Sequence, residues 1–256
     1  MILEGVIIVA FALLLDFLVG DPRTKYHPTA WMGKLIASLV PFTKSNSAKK
    51  ELLGGILIVS IIVATVCTVL VVLDIGISLL TIDIVSLVVS IAVGSILLKT
   101  TIAIKGMQKH ALAVVDAIEK DDLDSARNHL SMIVKRDTKH LDKNHILSAV
   151  LESVSENTVD GITGPLFYYA IFGLPGAFVY RAINTIDSMI GYKTTLFKNV
   201  GWFGAKCDTV LNYAPSRLTG LVMILSALIL GYNWKESFYI MKRDSRKLES
   251  SNAGFP

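Results

Sequence analysis

The sequence predicts an all-α, polytopic integral membrane protein, and three observations carry that expectation. Of 256 residues, 52% are hydrophobic and only 18% charged, against roughly one-quarter charged in soluble domains, and the mean hydropathy is +0.57. The apolar residues fall in blocks long enough to cross a hydrocarbon core of about 30 Å as helices rising about 1.5 Å per residue. Lysine and arginine gather in some of the connections between blocks and are absent from others. Together these predict about four to five membrane helices or re-entrant segments, with a helical cytoplasmic insertion, in the cytoplasmic membrane.

Ile2 to Val19 is apolar except for Glu4 and Asp16. No basic residue precedes it and no small-residue cleavage pattern follows, so it reads as a retained first helix. The loop Gly20 to Leu53 carries Arg23, Lys25, Lys34, Lys44, Lys49 and Lys50, which the positive-inside rule places in the cytoplasm. Gly54 to Leu73 has no charge and Ile75 to Leu98 has only Asp83. These two blocks should form a membrane hairpin turning near Asp74 on the outer side, closing a first unit, 1–98.

Residues 99–160 turn polar and basic and should be the cytoplasmic insertion. Leu123, Ala126, Leu130, Ile133 and Val134 recur at helical spacing after Asp121 and Asp122, and Ile146, Leu147, Val150, Leu151 and Val154 form a second stripe. Glu152, Glu156 and Asp160 fall on the face opposite that stripe.

The third unit, 161–256, opens with Gly161 to Tyr180, uncharged but broken by Gly164-Pro165 and Leu174-Pro175-Gly176. A single crossing would put the basic loop with Lys193, Lys198, Lys206 and Arg217 outside, against the charge rule. A re-entrant segment keeps both flanks cytoplasmic. Broken backbone at membrane depth is tolerated only where protein or a water-filled cavity covers it, so a polar cavity is expected near Gly161 to Gly191. Leu218 to Tyr232 is short for a full crossing, and one crossing would place the tail with Lys235, Lys242, Arg243, Arg246 and Lys247 outside. A second re-entrant segment, a charge rule that fails at the last helix, or an interfacial helix using Trp234, Phe238, Met241 and Leu248 each removes that conflict.

Several chemistries are excluded. Cys67 and Cys207 lie at different expected depths, so no structural disulfide is expected. The five histidines have no zinc spacing. No GxxxxGK[ST], GxGxxG or GxSxG occurs. The formal net charge of +4 reports cytoplasmic loops facing a lipid bilayer rather than nucleic acid.

Four polar groups remain at the expected cytoplasmic boundary. In Glu152-Ser-Val-Ser-Glu156-Asn157-Thr-Val-Asp160 the carboxylates lie four apart and project together, as a solvated helix face or as ligands of a divalent cation. Arg181, Asn184, Asp187, Ser188 and Gly191 follow the broken segment, as a polar cap and loop or as the wall of a membrane cavity. Asp208, Asn212 and Arg217 form the third group, where snorkelling alone would explain Arg217. Asp16, Gly20-Asp21-Pro22-Arg23 and His27 form the fourth, where Gly-Asp-Pro is an ordinary turn and Asp16, inside the apolar block, is not.

With these motifs in this order, Asp16-x3-Gly20-Asp21-Pro22-Arg23-x3-His27-Pro28, Glu152-x3-Glu156-Asn157-x2-Asp160-Gly161, Asn184-x2-Asp187-x3-Gly191-Tyr192-Lys193 and Asp208-x3-Asn212-x2-Pro215-x-Arg217-Leu218, the chain resembles the adenosylcobinamide-phosphate synthases of cobalamin biosynthesis. The resemblance is strongest across Glu152 to Leu218, and between about Leu35 and His145 only hydropathy agrees. Members of that family continue beyond an Asn-x-Gly-x-Pro stretch, here Asn252 to Pro256, so the C-terminus looks shortened.

The resemblance implies an ATP-dependent ligase that joins the carboxylate of adenosylcobyric acid to the amine of (R)-1-amino-2-propanol or its phosphate through an acyl phosphate, with Mg²⁺ and ATP and an active site facing the cytoplasm. It implies metal ligands Glu152, Glu156 and Asp187, and catalytic roles for Asp21, His27, Asp160 and Asp187, with Asp21 or His27 taking the amine proton. It implies substrate contacts from Asp16, Arg23, Asn157, Arg181, Asn184, Lys193, Asp208, Asn212 and Arg217. A transporter is the rival reading, since broken apolar segments also build midplane transport sites. Against it, the Gly161 to Lys193 pattern does not repeat and the polar groups gather on one face. A non-catalytic scaffold would not need four acid and amide clusters.

Overall fold

The computed structural model describes residues 2–134, 136–245, 250 and 252–256. Arg246, Lys247 and Leu248 of the expected tail therefore lie outside the described residues. Among the described residues the chain is helical, without strands. Four helical stretches, Ile2–Val19, Ala48–Ser78, Asp83–Glu119 and Lys143–Ile190, are long and apolar enough to cross a membrane. The protein is an all-α, polytopic membrane protein.

Helix α1 (Ile2–Val19) packs along α4 (Asp83–Lys99) through Ile8 and Ala12 against Leu98. Helix α3 (Ala48–Ser78) supplies Ile58, Ile62, Val66 and Leu70 to the main core. The outward residues of these helices stay apolar and uncovered, as Ile2 (88% exposed), Phe17 (67%) and Val72 (61%) illustrate. A contiguous apolar belt of this kind matches lipid. The α3–α4 turn lies at residues 79–82 rather than near Asp74, because Asp74 is accommodated in the last turns of α3.

Most of the expected basic loop is also helical. Helix α2 (Pro28–Thr43) starts at Pro28, with His27 Nδ1 accepting from Thr29 N at 3.3 Å, as Pro at the first helical position favours. Met32 and Ile36 enter the main core, with Leu35, Leu39 and Val40 packed against it. The lysines of this segment had obscured that helical stripe.

The insertion is a three-helix unit. Helices α5 (Ile104–Glu119), α6 (Leu123–Ser131) and α7 (Lys143–Thr158) share a core of Val114, Ile118, Ala126, Leu130, Ile146 and Val150, with Leu123, Ile133, Val134, Leu147 and Val154 packed against it; of the two predicted stripes only Leu151 points away, 68% exposed. Asp122 caps α6 by accepting from Ser125 N, and Asp142 caps α7 by accepting from His145 N, each at 2.9 Å.

A π-helical turn, Val159–Thr163, leads from α7 into α8 (Gly164–Ile190). Helix α8 reverses direction inside itself. Gly173 has φ +64° and ψ −154°, a backbone region open in practice only to glycine, and Pro175 follows. In a straight helix Asp160 and Tyr180 would lie about 30 Å apart, yet the Tyr180 hydroxyl is 3.4 Å from Asp160 Oδ1. Tyr168 of the first limb stacks on Tyr180 of the second with centroids 5.3 Å apart. A Cβ at residue 164 would overlap the Tyr180 ring, so glycine is required for this close approach. The expected re-entrant segment is thus a helical hairpin. Its second limb packs Phe178, Ala182, Ile186 and Ile190 against α3.

Helix α9 (Trp202–Leu211) lies across the base of the hairpin, and α10 (Tyr213–Ile229) leaves from there. Helix α11 (Trp234–Asp244) turns back along α10, with Met241 beside Gly220, and Asn252 returns to donate to Thr209 O at 2.8 Å. This second reversal brings Asn252 back beside α9. Cys67 and Cys207 are free.

Gly173→Ala should cost about 1–3 kcal/mol through backbone strain at positive φ. Thermal unfolding in detergent measures this, and an unchanged midpoint would mean that the reversal does not depend on Gly173.

Candidate active site

The helix periods place three of the four predicted groups around one cavity of about 690 Å³ at the base of the α8 hairpin. Glu152, Glu156, Asn157 and Asp160 line it from α7 and the π turn, Arg181, Asn184, Asp187 and Ser188 from the second limb, and Asp208 and Asn212 from α9 and its C-terminus. Residues at i, i+3 and i+4 share a helix face, so each segment turns several polar groups inward at once. Asn252, Ala253 and Pro256 close one wall. A larger groove of about 1150 Å³ lies between α1, α3, α4 and the hairpin tip, but its lining is mainly apolar and holds none of the predicted groups.

The innermost wall is a hydrogen-bond network. Asn212 Nδ2 donates to Asp160 Oδ1 at 3.1 Å and to Asp208 Oδ2 at 3.0 Å. The Tyr180 hydroxyl donates to Asn212 Oδ1 at 2.6 Å, and Asn184 Nδ2 donates to Asp208 Oδ1 at 3.4 Å. Burial pushes the Asp208 carboxyl up to about 7, with the charges of Asp160 and Asp187 adding to the shift and the two amides opposing it.

Arg181 Nη1 donates to the Asp160 carbonyl at 3.2 Å, while its Nε is buried without a hydrogen-bond partner. Asp160 and Asp21 both attract this guanidinium. The Gly161 carbonyl has no donor four residues on, because Pro165 carries no N–H, and Ala103 N donates to it at 3.0 Å. Glu152 pairs with Arg136 at 2.7 Å, which also lines the cavity. Gly191 lets the Asp187 carboxylate lie against the backbone, where a Cβ would overlap it.

The fourth group gathers elsewhere. Asp16 is fully buried (0% exposed), accepting from Lys105 N at 3.0 Å and lying 3.7 Å from the Lys99 ammonium. Asp21 lies 3.3 Å from Lys99 and 3.9 Å from His27 Nε2. His27 and Lys99 hold the Asp21 carboxyl below the usual carboxylate range, against the opposing effect of partial burial. Arg23 is exposed. None of Asp16, Asp21, Arg23 and His27 lines the cavity, and neither does Lys193. Arg217 stands at its edge, its guanidinium 3.5 Å from the Tyr213 ring centroid and 4.2 Å from that of Phe255, with Nη1 donating to Asn252 Oδ1 at 3.3 Å.

Sequence reasoning missed Tyr180, Arg136 and Lys99. Tyr180 and Lys99 sit at the edges of apolar blocks, and Arg136 lies in an irregular stretch after α6. Only three-dimensional proximity singles them out.

Among the described residues no three His, Cys, Asp or Glu side chains converge as a preformed metal centre. The donor chemistry nevertheless suits Mg²⁺, which takes hard oxygen ligands and commonly uses one or two carboxylates with substrate phosphates and waters.

A family model described as CobD/Cbib protein matches residues 9–256. A relative named "Probable cobalamin biosynthesis protein CobD" from Methanothermobacter thermautotrophicus is 39% identical over 253 residues, covering 99% of this chain and 80% of its own length. Relatives named "Cobalamin biosynthesis protein CobD" from Leptospira interrogans (40% over 247 residues, 96% and 76% covered) and Clostridium perfringens (37% over 246, 95% and 76%) are similar to it in the same way. No solved structure matches the chain significantly. The chain belongs to the CobD/Cbib family.

An unfolded aspartate titrates near 3.8, whereas folded Asp208 titrates at about 7. Between those values the folded state holds the extra proton, so raising the pH through this window lowers stability, by on the order of a few kcal/mol. Asp208→Asn should flatten that slope. Thermal unfolding from pH 5 to pH 8 should show the wild type losing midpoint relative to the variant, and parallel curves would contradict the assigned burial of this carboxyl.

Proposed function

We propose that this member of the CobD/Cbib family acts in cobalamin biosynthesis as a membrane-bound, ATP-dependent ligase, forming an amide between the carboxylate of adenosylcobyric acid and (R)-1-amino-2-propanol or its phosphate. The printed names of its relatives support the pathway. The observation that carries the reaction class is the convergence of carboxylates, carboxamides and arginines in one cavity at the base of the hairpin.

A carboxylate resists attack by an amine until it acquires a leaving group. In the proposed route a corrinoid carboxylate oxygen attacks the γ-phosphorus of ATP, the bond to the bridging oxygen breaks, and ADP departs. The amine nitrogen then attacks the acyl carbon, and inorganic phosphate leaves as the C–N bond forms. Mg²⁺ arriving with ATP would screen phosphate charge during the first step. Glu156 and Asp187, which line the cavity, would be its ligands. Glu152, the third expected ligand, is paired with Arg136, so this ion pair brings a cation to the wall beside the phosphates. Arg181 keeps an unpartnered Nε–H for an anionic oxygen. Asn157 and Asn184 orient phosphate or corrinoid amides, and Asp160 anchors the inner wall.

The ammonium proton needs an acceptor titrating near working pH. Asp208, at about 7, meets that need better than Asp21, which His27 and Lys99 keep ionised. Asp21 with Asp16 and Lys99 serves instead to set the charge behind Arg181. The cavity has the size of a small-molecule site and takes the triphosphate and the reacting arm, leaving the corrin ring at its mouth. The basic connections support a mouth on the cytoplasmic side, where ATP is available.

The purified protein incubated with ATP, Mg²⁺, adenosylcobyric acid and aminopropanol phosphate or aminopropanol should yield the amide by mass spectrometry, and only with ATP. Asp187→Ala should lower turnover at least about 100-fold. Product formed without ATP, or undiminished in that variant, would overturn the assignment.

A further inference from the structure

The polar wall of the cavity depends on one side-chain amide whose orientation is set from behind. Asn212 is 6% exposed, and its Nδ2 spends both hydrogens on carboxylates, one on Asp160 and one on Asp208. Its oxygen must then face away from them, and the group met there is the Tyr180 hydroxyl at 2.6 Å. A rotated amide would set its oxygen against two carboxylates and its NH₂ against a hydroxyl that already lies 3.4 Å from Asp160.

Tyr180 is itself immobilised. It is 1% exposed, its ring is stacked on Tyr168, and it fills the space that Gly164 leaves open. The hydroxyl therefore reaches Asn212 from a fixed point on the hairpin, while Asn212 and Asp208 belong to the α9 end. A hydrogen bond between buried neutral groups contributes little net stability, but the geometry it fixes governs both carboxylates.

We infer that Tyr180 is a positioning residue of this site, its hydroxyl holding the Asn212 amide in the one orientation that keeps Asp160 and Asp208 side by side on the cavity wall. The catalytic consequence rests on the ligase reading above. The link between Tyr180 and Asn212 does not.

The test is a double-mutant cycle on the purified protein with Tyr180→Phe, which keeps the stacked ring and removes only the hydroxyl, and Asn212→Ala. Tyr180→Phe should lower kcat roughly 10-fold, as losing a supporting partner commonly does, with KM for ATP changed less than about 2-fold. Asn212→Ala should cost more, roughly 100-fold, and the double variant should match Asn212→Ala within about 2-fold, because the short bond through which the hydroxyl acts is then already gone and only its longer 3.4 Å contact with Asp160 remains. Independent effects would multiply to roughly 1000-fold, and that outcome, or a Tyr180→Phe enzyme with wild-type kcat, overturns the inference. Tyr168→Phe is the control, since its hydroxyl donates to the Leu211 carbonyl at 2.9 Å and not to Asn212. Its effect should stay independent of Asn212→Ala. The same cycle read on thermal unfolding needs no turnover: the stability lost in Tyr180→Phe should fall by more than half in the Asn212→Ala background, where only the contact with Asp160 remains, and a loss not so reduced there overturns the inference. A wild-type protein that makes no amide would sink the ligase reading while leaving the unfolding cycle to decide the Tyr180–Asn212 link.

Discussion

A helix that turns back inside a membrane frees backbone groups and polar side chains that lipid cannot satisfy, so the hairpin reversing at Gly173 can exist only with protein around it. That requirement organises the rest of the chain. Helix α3 covers the second limb with an aliphatic seam, and α1 and α4 pack around Ala177 near the tip. At the base, Ala103 N takes the Gly161 carbonyl and Tyr168 takes the Leu211 carbonyl. The polar side chains exposed by the reversal are collected into the cavity, where the hydrogen bonds that satisfy them also define a binding wall. Fold and site are therefore two consequences of one constraint.

Charge placement follows the same logic. The ends of α1 and α4 bring Asp16, Asp21 and Lys99 together directly behind the π turn, and Arg181 lies between that cluster and Asp160. Burying ions is costly unless they are paired, and breaking such a pair costs more than the pair contributes. The arrangement is explained by geometry: it keeps a guanidinium at the cavity wall without leaving it alone in a low-dielectric setting. Arg217 plays a comparable part at the rim, where Tyr213 and Phe255 flank its guanidinium and tie the residues 252–256 to α10.

Much of this was legible in the sequence because membrane physics leaves strong marks. Block lengths announced the membrane helices, and Gly-Pro interruptions within an uncharged run pointed to the broken segment that reverses at Gly173. The groups at Glu152 to Asp160, Arg181 to Ser188 and Asp208 to Asn212 were visible as helical faces, and the structure brings these three to one cavity. The fourth group carried an equally clear motif, yet it packs as an ion cluster behind that cavity, since spacing cannot say which of two helix ends a carboxylate will meet. Helix α2 was obscured because Lys34 and Lys44 dominated a segment whose Met32 and Ile36 are core. Tyr180 was illegible for a different reason: within an apolar run nothing distinguishes a tyrosine that packs from one whose hydroxyl orients an amide 32 residues away.

The most direct test of the account is the distance between spin labels on Ser155 and Ser188, introduced as cysteines with Cys67 and Cys207 replaced, in the protein reconstituted in bilayers. The two sites lie 33 residues apart, so an uninterrupted helix would separate them by about 50 Å. The hairpin returns Ser188 to the cavity that Glu152 and Glu156 also line, and a single population at less than half the straight-helix distance is expected. A distance near that of the straight helix would remove the hairpin, and with it the cavity on which the proposed chemistry depends.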